Sequence, residues 1–411
     1  MARDGAMKDS IAPHLFAGIA ILTGMLGSAG AVSAQTPSPL QIHGFLTARE
    51  IYVSSQPSWT RQGFGRFDVG ADDSHDHRLV NVDVAQLGID WTPKHWLTLH
   101  ADGIARLEPS GTKGSRAGLL QAYAEVEYHY WRLRAGAFWL PTSRENVDNL
   151  WTSRYTISYS ALNSWIGQEV RPIGADLQYS PNLYLVVGAT AFRGNDTMGT
   201  ELSARGWTFG NRLSVYNEDL PLPQPETSTR PVGKDIDDRN GYAERVRLQL
   251  PDKAMLQIVH IDNRASIAPE FFDQEPWRTK FDVVSAEIGA EKPTTFSSEW
   301  ASGTTAVGFP GGVFTLDFDT VYALLSHKRG PDRWTVRVER FSTRDHERRA
   351  VDSSRENGHA VTVAWLRDVG SHLRAGLEYV RVTGDRPGLA ASGLDPRTGG
   401  STVSFEVRYG F

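Results

Sequence analysis

Cysteine is absent from the 411 residues, which excludes disulfide scaffolds, thiolate metal sites and cysteine nucleophiles. A charge excess of one sign is nearly absent too. The 43 Lys and Arg against 48 Asp and Glu leave −5 at pH 7, a balance that argues against a dedicated nucleic-acid binder. No apolar run reaches the ~20 residues of a membrane-spanning helix. A nucleophile elbow, a phosphate-cradling Gly loop and a zinc-protease helix are all missing, and no repeat occurs at a solenoid or propeller period. The chain does have 39 Gly, 12 Trp, 13 Tyr and 17 Phe in a composition that is 40% hydrophobic and 22% charged, which excludes disorder over most of its length.

At the amino terminus, Lys8 precedes an apolar stretch from Leu15 to Leu26. Small residues and Val32-Ser33-Ala34 follow, then Gln35. A charged start, a short hydrophobic core and a small-residue cleavage site predict an export signal over residues 1–34, with Met7 an alternative start. The remaining 411 − 34 = 377 residues, 35–411, then form the exported body. No compositional shift divides it, and the Pro-rich stretch from Leu220 to Pro231 reads as loop.

That body is written in period two. Val403, Phe405, Val407, Tyr409 and Phe411 share one face while Ser404, Glu406, Arg408 and Gly410 share the other. The same pattern places Leu120, Ala122, Ala124, Val126 and Tyr128 opposite Glu125 and Glu127; it recurs from Trp131 to Ala137 and from Leu373 to Tyr379. An apolar face of this kind is the core of a soluble sandwich or the lipid face of a barrel. Alternation up to a terminal aromatic resembles the last strand of outer-membrane β-barrel proteins, where the final Phe belongs to the assembly signal. Short turns such as Ser180-Pro181-Asn182 and Pro251-Asp252-Lys253 alternate with long polar stretches such as Ser54 to Arg78, Leu140 to Gly167, Arg193 to Asn240 and Thr343 to Gly358. This asymmetry is that of the two ends of such a barrel. Trp91, Trp96, Tyr128, Trp131, Tyr179, Tyr184 and Trp334 flank the short turns, where an aromatic girdle belongs.

The fold class is therefore all-β, a transmembrane antiparallel β-barrel. Strands are expected from about Ile42, Leu79, Trp96, Leu119, Trp131, Gln168, Leu183, Tyr242, Met255, Lys280, Thr294, Phe314, Trp334, Ala360, Leu373 and Thr402, sixteen in all, with both ends in the periplasm. The segment from Arg205 to Asn217 alternates weakly. Parity places it inside the Arg193–Asn240 loop, the alternative being a further partner and eighteen strands.

The stretch 140–167 is the candidate constriction element, long enough to fold into the lumen rather than lie over the rim. Ala135-Gly136-Ala137-Phe138-Trp139-Leu140-Pro141, Ser153-Arg154-Tyr155 and Trp165 through Ala175 resemble the corresponding region of the phosphate-selective porin-like family over roughly forty residues. The resemblance implies porin architecture. That family's phosphate preference depends on a basic ladder, whereas this loop is mixed in sign, so the preference is not carried over. Pore-lining or constriction candidates are Arg132, Arg134, Arg144, Glu145, Arg154, Tyr155, Arg171 and Asp176. By phase, Arg245, Arg247, Arg337, Arg374, Arg408, Asp317, Asp319, Glu339, Glu378 and Glu406 also face the lumen. The competing account makes most of them wall-solvating ion pairs.

The expected function is an outer-membrane porin of a Gram-negative bacterium, a passive diffusion channel for small hydrophilic or charged solutes, without enzymatic activity or cofactor. Its expected partners are outer-membrane lipid, the barrel assembly machinery, such solutes and, as in porins, two further copies in a homotrimer. The alternatives are a lipase-like barrel enzyme, for which His260 and Ser285 are the candidate pair, and a soluble exported carbohydrate-binding β protein. A gated siderophore receptor is disfavoured by chain length and by the lack of a plug domain ahead of the first strand. His75 and His77 with Asp72, Asp73 and Asp76 read as a solvated acidic loop rather than a metal site, and Asp235 to Asp238 lacks the spacing of a calcium loop.

Overall fold

A computed structural model describes residues 39–72, 76–223, 228–268, 275–346 and 354–411. The expected export signal, Asp73 and His75 lie outside the described residues. Sixteen antiparallel strands close into one barrel. They are β1 (Leu40–Ser55), β2 (His77–Lys94), β3 (Leu97–Leu107), β4 (Ala117–Tyr128), β5 (Trp131–Ala137), β6 (Ile173–Tyr179), β7 (Leu185–Arg193), β8 (Gly241–Leu250), β9 (Ala254–Asp262), β10 (Trp277–Ile288), β11 (Thr294–Phe309), β12 (Gly312–Arg329), β13 (Asp332–Asp345), β14 (Glu356–Val369), β15 (Leu373–Asp385) and β16 (Gly400–Gly410). Each pairs with its neighbours in sequence, and β1 closes on β16 with Phe45 opposite Gly410. Closure removes the free sheet edges. Phe411 seals the seam, exchanging two backbone hydrogen bonds with Gly44 at 3.0 and 3.1 Å.

The expected strand starts match the observed ones to within a few residues, except the sixth. Gln168 does not begin a strand; it lies in helix α1 (Ala161–Glu169), and β6 starts at Ile173. The Ser160 side chain caps α1 by accepting from Asn163 N, which converts this stretch from strand to helix. The Arg205–Asn217 segment lies within the loop between β7 and β8, as parity required, and follows the short helix α2 (Thr200–Arg205). At the other end of β11, where loops are otherwise long, Pro310-Gly311 makes a tight hairpin with Gly311 at φ +106°.

The hydrophobic face changes sides partway along several strands, with no break in register. On β13, Trp334, Val336 and Val338 point outward and Arg337 and Glu339 inward; beyond them Arg340 and Arg344 point outward and Phe341 inward. On β15, Leu377 and Tyr379 point outward against Glu378, after which Val380 and Val382 turn in while Arg381 is exposed. On β10, Val284 and Ile288 lie outside, Ser285 and Glu287 inside, and then Phe281 and Val283 inside with Lys280 and Asp282 outside. On these three strands the half next to the short turns is thus apolar outside and polar inside, and the other half is the reverse.

Three expected orientations are corrected, two by this inversion and one by a β-bulge. Asp317 and Asp319 face outward, because Leu316 and Phe318 are drawn into an apolar interior. Leu120, expected on the outer face, is fully buried inside, where a register shift at Asp102/Gly103 turns it inward.

Candidate functional site: the loop-filled lumen

Residues 138–172 leave β5 and enter the barrel. Phe138, Trp139 and Leu140 are buried at once, and Trp139 stacks on Trp151 at 4.8 Å. A buried loop needs partners for its backbone N–H groups, and here carboxylates on the inner wall accept them. Glu299 accepts from Arg144 N at 2.7 Å, Glu378 from Ile157 N and Ser158 N at 2.7 and 2.9 Å, and Glu339 from Ala161 N at 2.8 Å. Glu145, carried by the loop itself, accepts from Ser160 N at 2.9 Å and pairs with wall Arg337. Charge-assisted bonds of this kind are roughly twice as strong as neutral ones, so the wall grips the loop at several points along its length.

The loop between β7 and β8, residues 194–240, also turns in. Glu169, at the end of α1, accepts from Gly199 N and Glu201 N at 2.9 Å each and from Trp165 Nε1 at 2.5 Å. Burial, together with the nearby Glu201 carboxylate, pushes the Glu169 carboxyl up to about 8. Trp165 packs against Trp207, Phe281 and Phe318 at 5.0 to 5.9 Å, joining both loops to the inner faces of β10 and β12. Among the described residues, a continuous apolar cluster, interleaved with buried ion pairs such as Arg66–Glu356, thus packs the half of the lumen remote from the short turns.

The other half is polar and holds a cavity of about 210 Å³. Arg132, Arg134 and Arg144 line it with Arg245 and Arg247, and Asp148 of the loop also faces it. Arg132 donates to Gln178 at 2.8 Å; Arg134 donates to Glu125 at 2.8 Å and lies 4.2 Å over the Tyr123 ring. Asp176 is held by Arg245 at 2.5 and 2.9 Å and by Thr190, so its charge is spent within the wall. Arg247 has no hydrogen bond or ion pair among the described residues.

The predicted site residues therefore divide. Arg132, Arg134 and Arg144 meet around one cavity, with Asp176 behind Arg245. Glu145 is an internal strut of the loop. Tyr155 is buried with Tyr322 and Leu324, its hydroxyl 3.4 Å from Glu287; burial pushes that hydroxyl up to about 12. Arg154 is exposed beside Glu291 in a short turn, at 3.5 Å. Arg171 sits in the filled half, donating to Ser214 O with its guanidinium 4.5 Å over Trp139. Sequence reasoning missed that Glu299, Glu339 and Glu378 hold the loop, and that the 194–240 segment enters the barrel. The change of hydrophobic face along β13 and β15 was the available signal. His260 and Ser285 lie on opposite sides of the wall: His260 is outward beside Asp282 at 2.8 Å, while Ser285 is inward on Glu299 at 3.0 Å. They cannot act as a pair.

No family model matches this sequence, and no curated protein sequence is similar to it. Solved structures share its fold. The outer membrane channel DcaP of Acinetobacter baumannii is similar at TM-score 0.57 and 11% identity, over 90% of this chain and 97% of that one. An anion-selective porin from Comamonas acidovorans is similar at 0.53 and 11%, over 90% and 99%. The trimer form of OmpT, an outer membrane protein of Vibrio cholerae, is similar at 0.54 and 11%, over 90% and 99%. The chain thus has the closed sixteen-stranded barrel fold of outer-membrane porins.

Proposed function

We propose that the protein is an outer-membrane channel for small hydrophilic or charged solutes, narrowed by the 140–167 stretch and its flanks. The observation that carries this reading is the cavity on the inner wall where arginines of β5 and β8 face Asp148 of the inserted loop. Charged rings in a confined aqueous space sort solutes by sign and dipole. The apolar outer face beside the short turns, with Leu377 and Phe405 both exposed, supports a bilayer around that half of the barrel. The packed half lies in series with this cavity, so solutes must pass its packed side chains, and a low unit conductance is expected.

Residues 1–34 are read as an export signal and 35–411 as the barrel. Phe411, exposed at the seam, is read as the mark for the assembly machinery. A homotrimer is supported by the fold shared with an outer membrane protein recorded in a trimer form. Likeness of the 135–175 region to phosphate-selective porin-like proteins supports the architecture only. The deciding experiment is single-channel recording of the refolded protein in a planar bilayer. Discrete, salt-dependent steps are expected; a silent bilayer containing correctly folded barrel would refute the channel.

A further inference from the structure

At the polar end of the lumen, three adjacent strands bring together a set of side chains that the channel reading does not use. His43 on β1, Asp90 on β2 and His100 on β3 all point inward, and one ligating atom of each lies within 4.8 Å of the others. His43 Nδ1 is 3.5 Å from Asp90 Oδ2, and His100 Nδ1 is 2.6 Å from Asp90 Oδ1. Ligand atoms held about 2.1 Å from a tetrahedral zinc ion stand about 3.4 Å apart, so the His43–Asp90 spacing suits an ion better than a hydrogen bond. His100 and Asp90 need a small opening.

The surroundings favour a ligand set over a plain ion pair. His100 Nε2 lies 3.3 Å from Asp102 Oδ2, which also accepts from Gln121 at 2.8 Å. A histidine that offers one nitrogen to a metal commonly donates through the other to a carboxylate, which fixes tautomer and ring orientation. Asp102 is fully buried, and its Oδ1 has no partner, so it carries charge that a cation nearby would offset. His43 Nε2 is likewise without a partner and packs on Gly88, where a Cβ would come within 2.5 Å of it. A residue larger than glycine at position 88 would push the His43 ring out of place.

We infer that His43, Asp90 and His100 form a binding site for one borderline divalent transition cation of the zinc class, with Asp102 as a positioning residue. Two imidazoles and one carboxylate select such ions over magnesium or calcium, which prefer all-oxygen sets. His43 and Asp90 are partly exposed, so the site opens to the lumen, and the inference holds whether or not the lumen conducts.

The test is titration of metal-stripped, refolded full-length protein in detergent with Zn²⁺ alone, and with Co²⁺ for its absorption spectrum. One saturable equivalent is expected, with His43→Ala and His100→Ala each weakening binding at least about tenfold and Asp102→Asn about 10–100-fold. His260→Ala, which alters the outward His–Asp pair, should leave binding unchanged. Should a variant fail to show heat-modifiable migration, the parent protein still decides: Zn²⁺ should protect His43, but not His260, from diethyl pyrocarbonate. Absence of saturable binding, retention of full affinity in the His43→Ala/His100→Ala double variant, or no protection of His43 would overturn the site.

Discussion

Arg337 on the barrel wall donates to Glu145 of the inserted loop at 2.5 Å, and both side chains are fully buried. The guanidinium also bonds Glu339 at 2.7 Å and the carbonyls of Ser158 and Tyr159 at 3.1 and 2.9 Å, so a single wall residue ties two consecutive carbonyls of the loop to its Glu145 side chain. Removing one partner of a buried ion pair leaves an uncompensated charge and typically costs about 3–5 kcal/mol. Arg337→Met should therefore release the 140–167 segment while the barrel stays closed. Limited proteolysis within that segment, with heat-modifiable migration retained, checks this; an uncut loop would mean that Glu299 and Glu378 hold it alone.

The change of hydrophobic face along β15 predicts opposite fates for one substitution at two outward positions. Leu377→Arg places a charge in the apolar outer half and should cost about 2–4 kcal/mol if that position lies near the bilayer midplane. Thr383→Arg, beyond exposed Arg381 on the same face, should be nearly neutral. Urea unfolding in lipid vesicles compares the two, and equal losses would place the bilayer differently. Glu378→Gln, by contrast, is not a neutral lumen change, since that carboxylate accepts two loop N–H groups.

Selectivity should follow the arginines of the cavity. Replacing Arg132 and Arg134 with Gln should lower the anion-to-cation permeability ratio, and adding Arg247→Gln should lower it further, because Arg247 has no acidic partner to cancel its field. The effect should shrink in high salt as the Debye length falls from about 8 Å to about 3 Å. The reversal potential under a salt gradient reads it directly. A value that does not move would make these arginines wall-solvating groups only.

Docking of the two inserted loops should depend on pH. Burial raises the Glu169 carboxyl to about 8 and the Glu201 carboxyl to about 6, against 4.5 for a free glutamate. Groups raised on folding bind protons more tightly in the folded state, so their contribution is full below about pH 4.5 and is lost as pH rises through 6 and 8. Thermal melting followed by tryptophan fluorescence should show stability falling over that window, with a flatter slope in Glu169→Gln. An identical slope in the variant would assign the titration to other groups.

What the sequence determined by itself is what depends on local periodicity. Side chains in a strand alternate with period two, so the alternating runs, the short turns between them and parity pointed to sixteen strands, with eighteen the alternative, and to the inward phase of Arg132, Arg134 and Glu378. Tertiary structure alone decided what fills the lumen. Period two states which residues share a face, but not whether that face meets lipid, water or another part of the chain. Phe318 turns inward where Trp165 and Trp207, far away in sequence, arrive to cover it, and Leu316 is buried in the same apolar cluster. Glu145 and Arg337, 192 residues apart, meet only once the barrel has closed around the loop. His43, Asp90 and His100 converge for the same reason, since register across β1, β2 and β3 is a property of the closed sheet and of no single strand.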